Sequence, residues 1–118
     1  MEFIDVLRKK NMKVREFQSW GVCFRKRWED NFENHVSDEK KKCLEGKEAE
    51  NTFHNEGKKE CYIFYQHCDD VLLIKDASLL SMDDMYKGDI YIVDREFTWT
   101  FVKTHEHRWC GPYFAKKC

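Results

Sequence analysis

The amino-acid sequence predicts an α+β protein, an antiparallel sheet built largely from two C-terminal hairpins with helices packed on one face. Three observations predict it. The first half carries helical apolar periodicity, the second half carries short apolar runs typical of strands, and those runs come in closely spaced pairs. With 118 residues, the chain has the size of one domain, which we assign to residues 1–118.

The N-terminal third predicts two helices around a strand. Residues 2–10 place apolar side chains at helical spacing ahead of three basic residues, and alternation over residues 12–17 predicts an exposed or edge strand. Ser19 is the expected N-cap of a longer helix. Its apolar stripe, predicted to lie against the core, is Trp20, Phe24, Trp28, Phe32 and Val36.

The middle of the chain has a polar segment followed by two strongly apolar ones. Residues 37–60 predict a loop followed by a helix at about Lys47–Asn55, anchored by Ala49 and Phe53. The continuous runs Cys61–Tyr65 and Val71–Ile74 predict two strands buried on both faces.

The C-terminal third predicts a short helix and a second hairpin. The helix contains Leu79, Leu80, Met82 and Met85 and ends at Gly88. Residues 89–93 and 98–102 form the expected hairpin, with a turn at residues 94–97. After a Gly111-Pro112 break, Tyr113 and Phe114 are expected to pack on the core.

Composition excludes several classes of function. Lys and Arg number 21 against 22 Asp and Glu, so the net charge of −1 gives no global field to attract nucleic acid or an anionic membrane. The longest apolar run is Cys61–Tyr65, far too short for a membrane span, and no export signal is recognisable. We therefore expect a cytoplasmic protein whose six cysteines are reduced.

Three linked motifs resemble a known family. They are Asp89-Ile-Tyr-Ile-Val-Asp94, an aromatic-Thr strand that ends in Thr104-His105-Glu106, and the close Gly111-Pro-Tyr-Phe114. The sequence resembles the bacterial family catalogued as domain of unknown function 4275. The resemblance implies no established activity. It also implies a shortened member, because a segment that relatives carry before Lys40 is missing here.

The segment from Thr104 to Cys110 is the sharpest chemical cluster. His105, His107 and Cys110 are residue types that bind zinc, and the fourth ligand would be Cys118, His35 or Asp94. The alternative is that His107 is exposed and His105 makes a hydrogen bond at a strand end.

A second chemistry would pair His105 as a general base with Glu106 or Asp94. Neighbouring residues of a strand point to opposite faces, which places Glu106 poorly, and a turn-capping role explains Asp94 without catalysis. Cys110 as a nucleophile lacks any oxyanion-hole signal. The sequence assigns no catalytic residue, and an enzyme is the less favoured interpretation.

These observations leave three hypotheses. The first is a non-catalytic protein-binding module without a cofactor, similar to an immunity or accessory protein, that is a monomer or a homodimer. If several of the C-terminal aromatic residues Trp99, Trp109, Tyr113 and Phe114 remain exposed beside the Thr-His-Glu edge, they would form its binding patch. The candidate functional cluster is Asp94, Trp99, Thr104, His105, Glu106 and Tyr113.

The second hypothesis is a zinc-binding protein or metal-dependent hydrolase centred on His105, His107 and Cys110. The third is a pocket for a small ligand lined by Trp99, Phe101 and Tyr91.

Overall fold

Ten helices and strands make up the described part of the chain. The structure is a computed structural model that describes residues 3–10, 13–36, 44–56, 60–65, 69–75, 80, 89–103 and 112–116, and for residues 3, 4, 6 and 33–36 the backbone alone. The elements are α1 (Phe3–Lys9), β1 (Val14–Phe17), α2 (Gly21–Val36), β2 (Leu44–Glu45), α3 (Lys47–Asn55), β3 (Cys61–Tyr65), β4 (Val71–Ile74), β5 (Ile90–Asp94), β6 (Trp99–Lys103) and β7 (Tyr113–Lys116).

The seven strands form one antiparallel sheet in the order β1-β4-β3-β5-β6-β7-β2. This confirms the predicted mixed α and β class with an antiparallel sheet. Five of these strands were predicted from the sequence: β4, β3, β5 and β6 are adjacent in the sheet, and β1 lies at one end of it, as the alternation over residues 12–17 predicted. Helix α3 has the predicted bounds and buries the predicted Ala49 and Phe53.

Helices cover both faces of the sheet, so the prediction that they pack on one face is wrong. Side chains of one parity, such as Ile63 and Ile92, pack with Leu7 of α1 and Phe53 of α3. The strand residues between them point to the opposite face and pack with α2 in a second cluster. The buried members of this cluster are Phe24, Phe32, Phe64, Val71, Val93 and Phe97. The physical reason is that strands with apolar residues at both parities expose two apolar surfaces, and each must be buried.

A buried hydrogen-bond chain fixes α2 against the sheet. The indole Nε1 of Trp28 donates to the hydroxyl of Thr100 at 2.8 Å, and that hydroxyl donates to the carbonyl of Ile92 at 2.9 Å. Thr100 is fully buried on β6. Both polar side-chain groups are therefore satisfied at a contact that is otherwise apolar.

The start of α2 differs from the prediction. Ser19 is not the N-cap, because the helix begins at Gly21 and the first helical hydrogen bond runs from the Phe24 N–H to the Trp20 carbonyl. Ser19 instead adopts a left-handed conformation with φ 64° and turns the chain out of β1. Trp20 therefore leaves the predicted stripe, while Phe24 and Phe32 are buried as predicted.

Two further strands extend the sheet beyond the predicted ones. Residues 113–116 pair with β6 as β7, so Tyr113 and Phe114 reach the core as part of a strand. The two-residue β2 pairs with β7 where a loop was predicted. Gly46 follows it with φ 66°, and its N–H donates to the Pro112 carbonyl at 2.8 Å. Of the helix predicted to end at Gly88, only Leu80, which is buried, lies within the described residues.

The turn between β5 and β6 inserts Phe97 into the α2 cluster. The Phe97 N–H donates to the Asp94 carbonyl at 3.1 Å, and Phe97 has φ 57°, a left-handed conformation that is rare for a bulky residue. Its side chain is 1% exposed, and the Arg27 guanidinium lies 4.0 Å above the ring centroid. Burial of the ring stabilises a backbone conformation that is unfavourable in itself.

Phe97→Ala is expected to lower the free energy of unfolding by about 3–5 kcal/mol, because a fully buried phenyl ring is lost. Phe97→Gly loses the same ring but removes the left-handed strain, so it should be about 1 kcal/mol less destabilised than the alanine variant. Urea unfolding followed by circular dichroism measures both. The exposed neighbour serves as the control, since Glu96→Ala should leave stability unchanged. A glycine variant less stable than the alanine variant would contradict the strain argument.

Candidate functional site

Asp94 is a turn-capping residue. Its Oδ1 accepts the backbone N–H of Thr98 at 2.6 Å and that of Trp99 at 3.0 Å, while Oδ2 accepts the Thr98 hydroxyl. Three donors at the turn between β5 and β6 thus converge on one carboxylate. The structural alternative for Asp94 is confirmed, and its lone pairs serve the turn.

The C-terminal aromatic residues lie in the core. Trp99 is 4% exposed and Phe114 is 3% exposed, and their rings stack at 5.7 Å. Tyr113 is buried as well. The aromatic patch was expected only if several of these side chains remained exposed, and these three do not, because they pack between the sheet and its helices. Trp109 lies outside the described residues.

The predicted ligand pocket is also wrong. Phe101 stacks on Phe53 of α3 at 4.3 Å, on the same face of the sheet as Trp99. Tyr91 lies on the opposite face, where it contacts Trp28 of α2 with ring centroids 4.9 Å apart. Since the sheet separates Tyr91 from the other two, these three side chains line no common cavity.

Tyr91 has a perturbed pKa for a structural reason. Burial against α2 raises the pKa of its phenol above 10.0, the negative charges of Asp89 and Glu29 raise it further, and Arg25 lowers it. The phenol is therefore neutral over the physiological range.

The predicted metal and acid–base cluster falls outside the described residues. This holds for Thr104, His105, Glu106, His107, Cys110 and Cys118, and for the side chain of His35. Where the structure does describe side chains, no group of three His, Cys, Asp or Glu residues is placed to hold a metal ion. Of the predicted site, the structure thus describes Asp94, Trp99 and Tyr113, which serve the turn and the core.

An exposed aromatic corner is the feature that the sequence prediction missed. Trp20 is 48% exposed and Val22 is 65% exposed, and they are two of the three large apolar residues exposed in the described part. Phe17, half-buried at the end of β1, stacks on Trp20 with ring centroids 4.5 Å apart. We name Phe17, Trp20 and Val22 the Trp20 surface. The sequence carried a signal for it, because Gly21 follows Trp20 and a helix that begins there leaves Trp20 outside the buried stripe.

Asp69 and Asp70, the two residues directly before β4, hold this corner in place. The Asp70 carboxylate accepts the Ser19 N–H at 3.2 Å, and the Asp69 carbonyl accepts the Gly21 N–H at 2.6 Å. From α2, Arg25 reaches the Asp69 carboxylate at 3.5 Å and donates to the Tyr65 carbonyl at 3.3 Å. Contacts on both sides of Trp20 therefore fix its backbone.

The outer edge of β1 presents backbone groups beside the Trp20 surface. The Lys75 N–H donates to the Lys13 carbonyl at 3.1 Å, and β1 and β4 pair from Val14↔Ile74 to Phe17↔Val71. In an antiparallel ladder every second residue bonds the same neighbour. Val14 and Glu16 consequently direct their N–H and C=O groups outward, and among the described residues no strand pairs with them.

The fold and this surface define a class of protein, an antiparallel α+β protein with a sheet covered on both faces and an exposed aromatic corner at its edge. The family model described as Domain of unknown function (DUF4275) matches residues 1–42 and 37–114, and the chain belongs to this family. The two matched segments overlap at residues 37–42. The deletion expected before Lys40 falls in this region and stays a prediction. No curated protein and no solved structure gives a match. The described helices lack the length and apolar character needed to cross a bilayer.

Asp94→Ala is expected to lower the free energy of unfolding by about 2 kcal/mol, because three donors at the turn lose their acceptor. Asp94→Asn keeps one carbonyl oxygen for the two backbone N–H groups and should cost less. Chemical denaturation of both variants measures the difference. Equal stability of wild type and Asp94→Ala would remove the capping role.

Proposed function

We propose that this protein is a non-catalytic protein-binding module of the cytoplasm, acting in the manner of an immunity or accessory protein through the Trp20 surface. One observation carries the proposal, namely that Trp20 stands 48% exposed at the edge of the sheet while other large aromatic side chains, such as Trp99 and Phe101, are buried. Exposed tryptophans of this kind are typical anchors of protein interfaces.

The way Trp20 is held supports this proposal. Its ring stacks on Phe17 at 4.5 Å and on Phe24 at 5.9 Å, and Phe24 is itself buried. A side chain already ordered in the free protein loses little conformational entropy when a partner covers it. The exposed Val22, two residues further along the chain in the first turn of α2, adds apolar area near the start of the helix.

A photo-crosslinking experiment tests the proposal. We expect a benzoylphenylalanine at position 22 to crosslink one discrete partner protein in a lysate of the source organism, and the Trp20→Ala change to abolish the adduct. The same probe at Lys47, an exposed position on α3, is the control and should give none. With the partner identified and purified, Trp20→Ala should weaken its binding by about 2 kcal/mol or more. A partner bound equally by wild type and Trp20→Ala would refute the role of this surface.

Zinc binding is the second candidate function, and it depends on the residue types at His105, His107 and Cys110. It predicts stoichiometric zinc in tag-free protein purified under reducing conditions without chelator, and loss of that zinc in the His105→Ala, His107→Ala double variant. Plasma mass spectrometry gives the metal content. Metal-free wild-type protein that binds no added zinc would remove this candidate.

A further inference from the structure

The edge of the sheet beside the Trp20 surface has the chemistry of a peptide-binding site. We infer that its occupant is an extended acidic segment of the partner protein, which adds an antiparallel strand to β1. This inference rests on the proposed function and specifies the class of partner. It follows from the backbone, the charges and the apolar contacts of β1.

The backbone of β1 offers the hydrogen bonds that a further strand needs. Val14 and Glu16 direct their N–H and C=O groups away from β4, as the Lys13–Lys75 bond and the β1–β4 pairing establish. These groups can bond one further strand, and the antiparallel orientation is favoured because it is slightly more stable per residue and is the one that all the described strand pairs of this sheet adopt. Main-chain bonds of this type are the source of affinity when a peptide extends a sheet.

The charges around this edge select an acidic strand. Among the described side chains of residues 13–17 and of Lys75, whose N–H bonds Lys13, the basic Lys13, Arg15 and Lys75 stand against the acidic Glu16. Arg15 lies over the Phe17 ring at 4.9 Å, so it shares the α2 face with Phe17. Alternation places Lys13 on that face too. At the Phe17 end of the strand pair, the acidic Asp69 is bound by Arg25, and the Asp70 carboxylate accepts the Ser19 N–H.

The same charges disfavour a second copy of this chain as the occupant. Self-pairing through the outer edge allows three registers that keep most of residues 13–17 paired, given the pairing of β1 with β4. One places Lys13 opposite Arg15, the next places Arg15 opposite Arg15, and the last places Glu16 opposite Glu16. Like charges directly opposite each other destabilise a strand pair.

The geometry also gives the order of residues in the partner strand. In an antiparallel neighbour, the residue opposite Phe17 comes first, and those opposite Arg15 and Lys13 follow at steps of two. The first should be apolar, because it meets Phe17 and the Trp20 ring stacked on it. The next two should be acidic. The recognised pattern is therefore apolar-x-acidic-x-acidic, read from the amino end.

A synthetic peptide tests the pattern directly. The probe is fluorescein-labelled Thr-Leu-Thr-Glu-Val-Glu-Thr with blocked ends, and fluorescence anisotropy measures its dissociation constant. Matched peptides carry Lys in place of both Glu residues, the reversed residue order, or an N-methyl group on the Val, which removes one ladder donor. Each should bind on the order of tenfold more weakly or not at all.

Three variants of the protein complete the design. Arg15→Glu should weaken probe binding on the order of tenfold, and Lys47→Glu, the same charge change on α3, should leave it unchanged. Glu16→Pro removes an outward N–H that β4 does not use, so it should abolish binding while the thermal unfolding temperature confirms a folded protein. In the wild type, probe binding should slow hydrogen exchange of the Val14 and Glu16 amides.

Each alternative outcome overturns the inference. Equal affinity for the glutamate and lysine peptides removes the acidic class, and binding without protection of Val14 and Glu16 removes strand addition. Tighter binding of a single-stranded DNA oligonucleotide, or a dimer in sedimentation that Glu16→Pro dissociates, assigns the edge to another occupant. If the probe fails while the crosslink at position 22 identifies a partner, the inference fails and the proposed function stands. If both fail, the proposed function fails with it.

Discussion

The alternation of side chains along four apolar strands is the constraint on which this structure depends. Strands β3 and β5 each carry large apolar residues at both parities, so the sheet has two apolar surfaces and is stable only when both are covered. Helix α2 covers one with Phe24 and Phe32, and α1 and α3 cover the other with Leu7 and Phe53. The position of each helix follows from this requirement. Because α1 and α2 cover opposite faces, the chain between them passes around the sheet edge, where it forms β1.

Local periodicity predicted the elements well and their assembly poorly. Strands β3 to β6 and helix α3 were predictable because each is defined by side chains close together in the chain. The prediction of helices on one face conflicted with the prediction of strands buried on both, and the burial pattern decides between them. Ser19 was wrongly predicted because its residue type suits an N-cap, whereas the structure gives it a left-handed φ of 64° and a hydrogen bond from its N–H to Asp70, which is distant in the sequence.

The candidate binding surface also moved, from the C-terminal aromatic residues predicted from the sequence to the Trp20 surface near the N-terminus, because long-range strand pairing determines which aromatic residues are buried. Aromatic residues near the C-terminus suggested a surface, yet a strand pairing invisible in the sequence, β7 on β6, takes Trp99 and Phe114 into the core. Trp20 differs from these buried aromatic residues because the turn before α2 places it outside both core clusters, where its side chain is exposed. The turn-capping alternative for Asp94 was predictable, because Asp side chains at turns commonly accept hydrogen bonds from nearby backbone N–H groups.

The two edges of the sheet are unequal, and this bears on self-assembly. A fibril grows by adding strands to both ends of each unit, so two compatible open edges are required. At the other edge, the described residues of β2 that pair with β7 are Leu44 and Glu45, after which Gly46 turns the chain into α3. Such a short ladder gives little template for another chain. Where the structure describes the sheet, β1 therefore offers the longer open edge, and strand addition at a single edge stops after one addition.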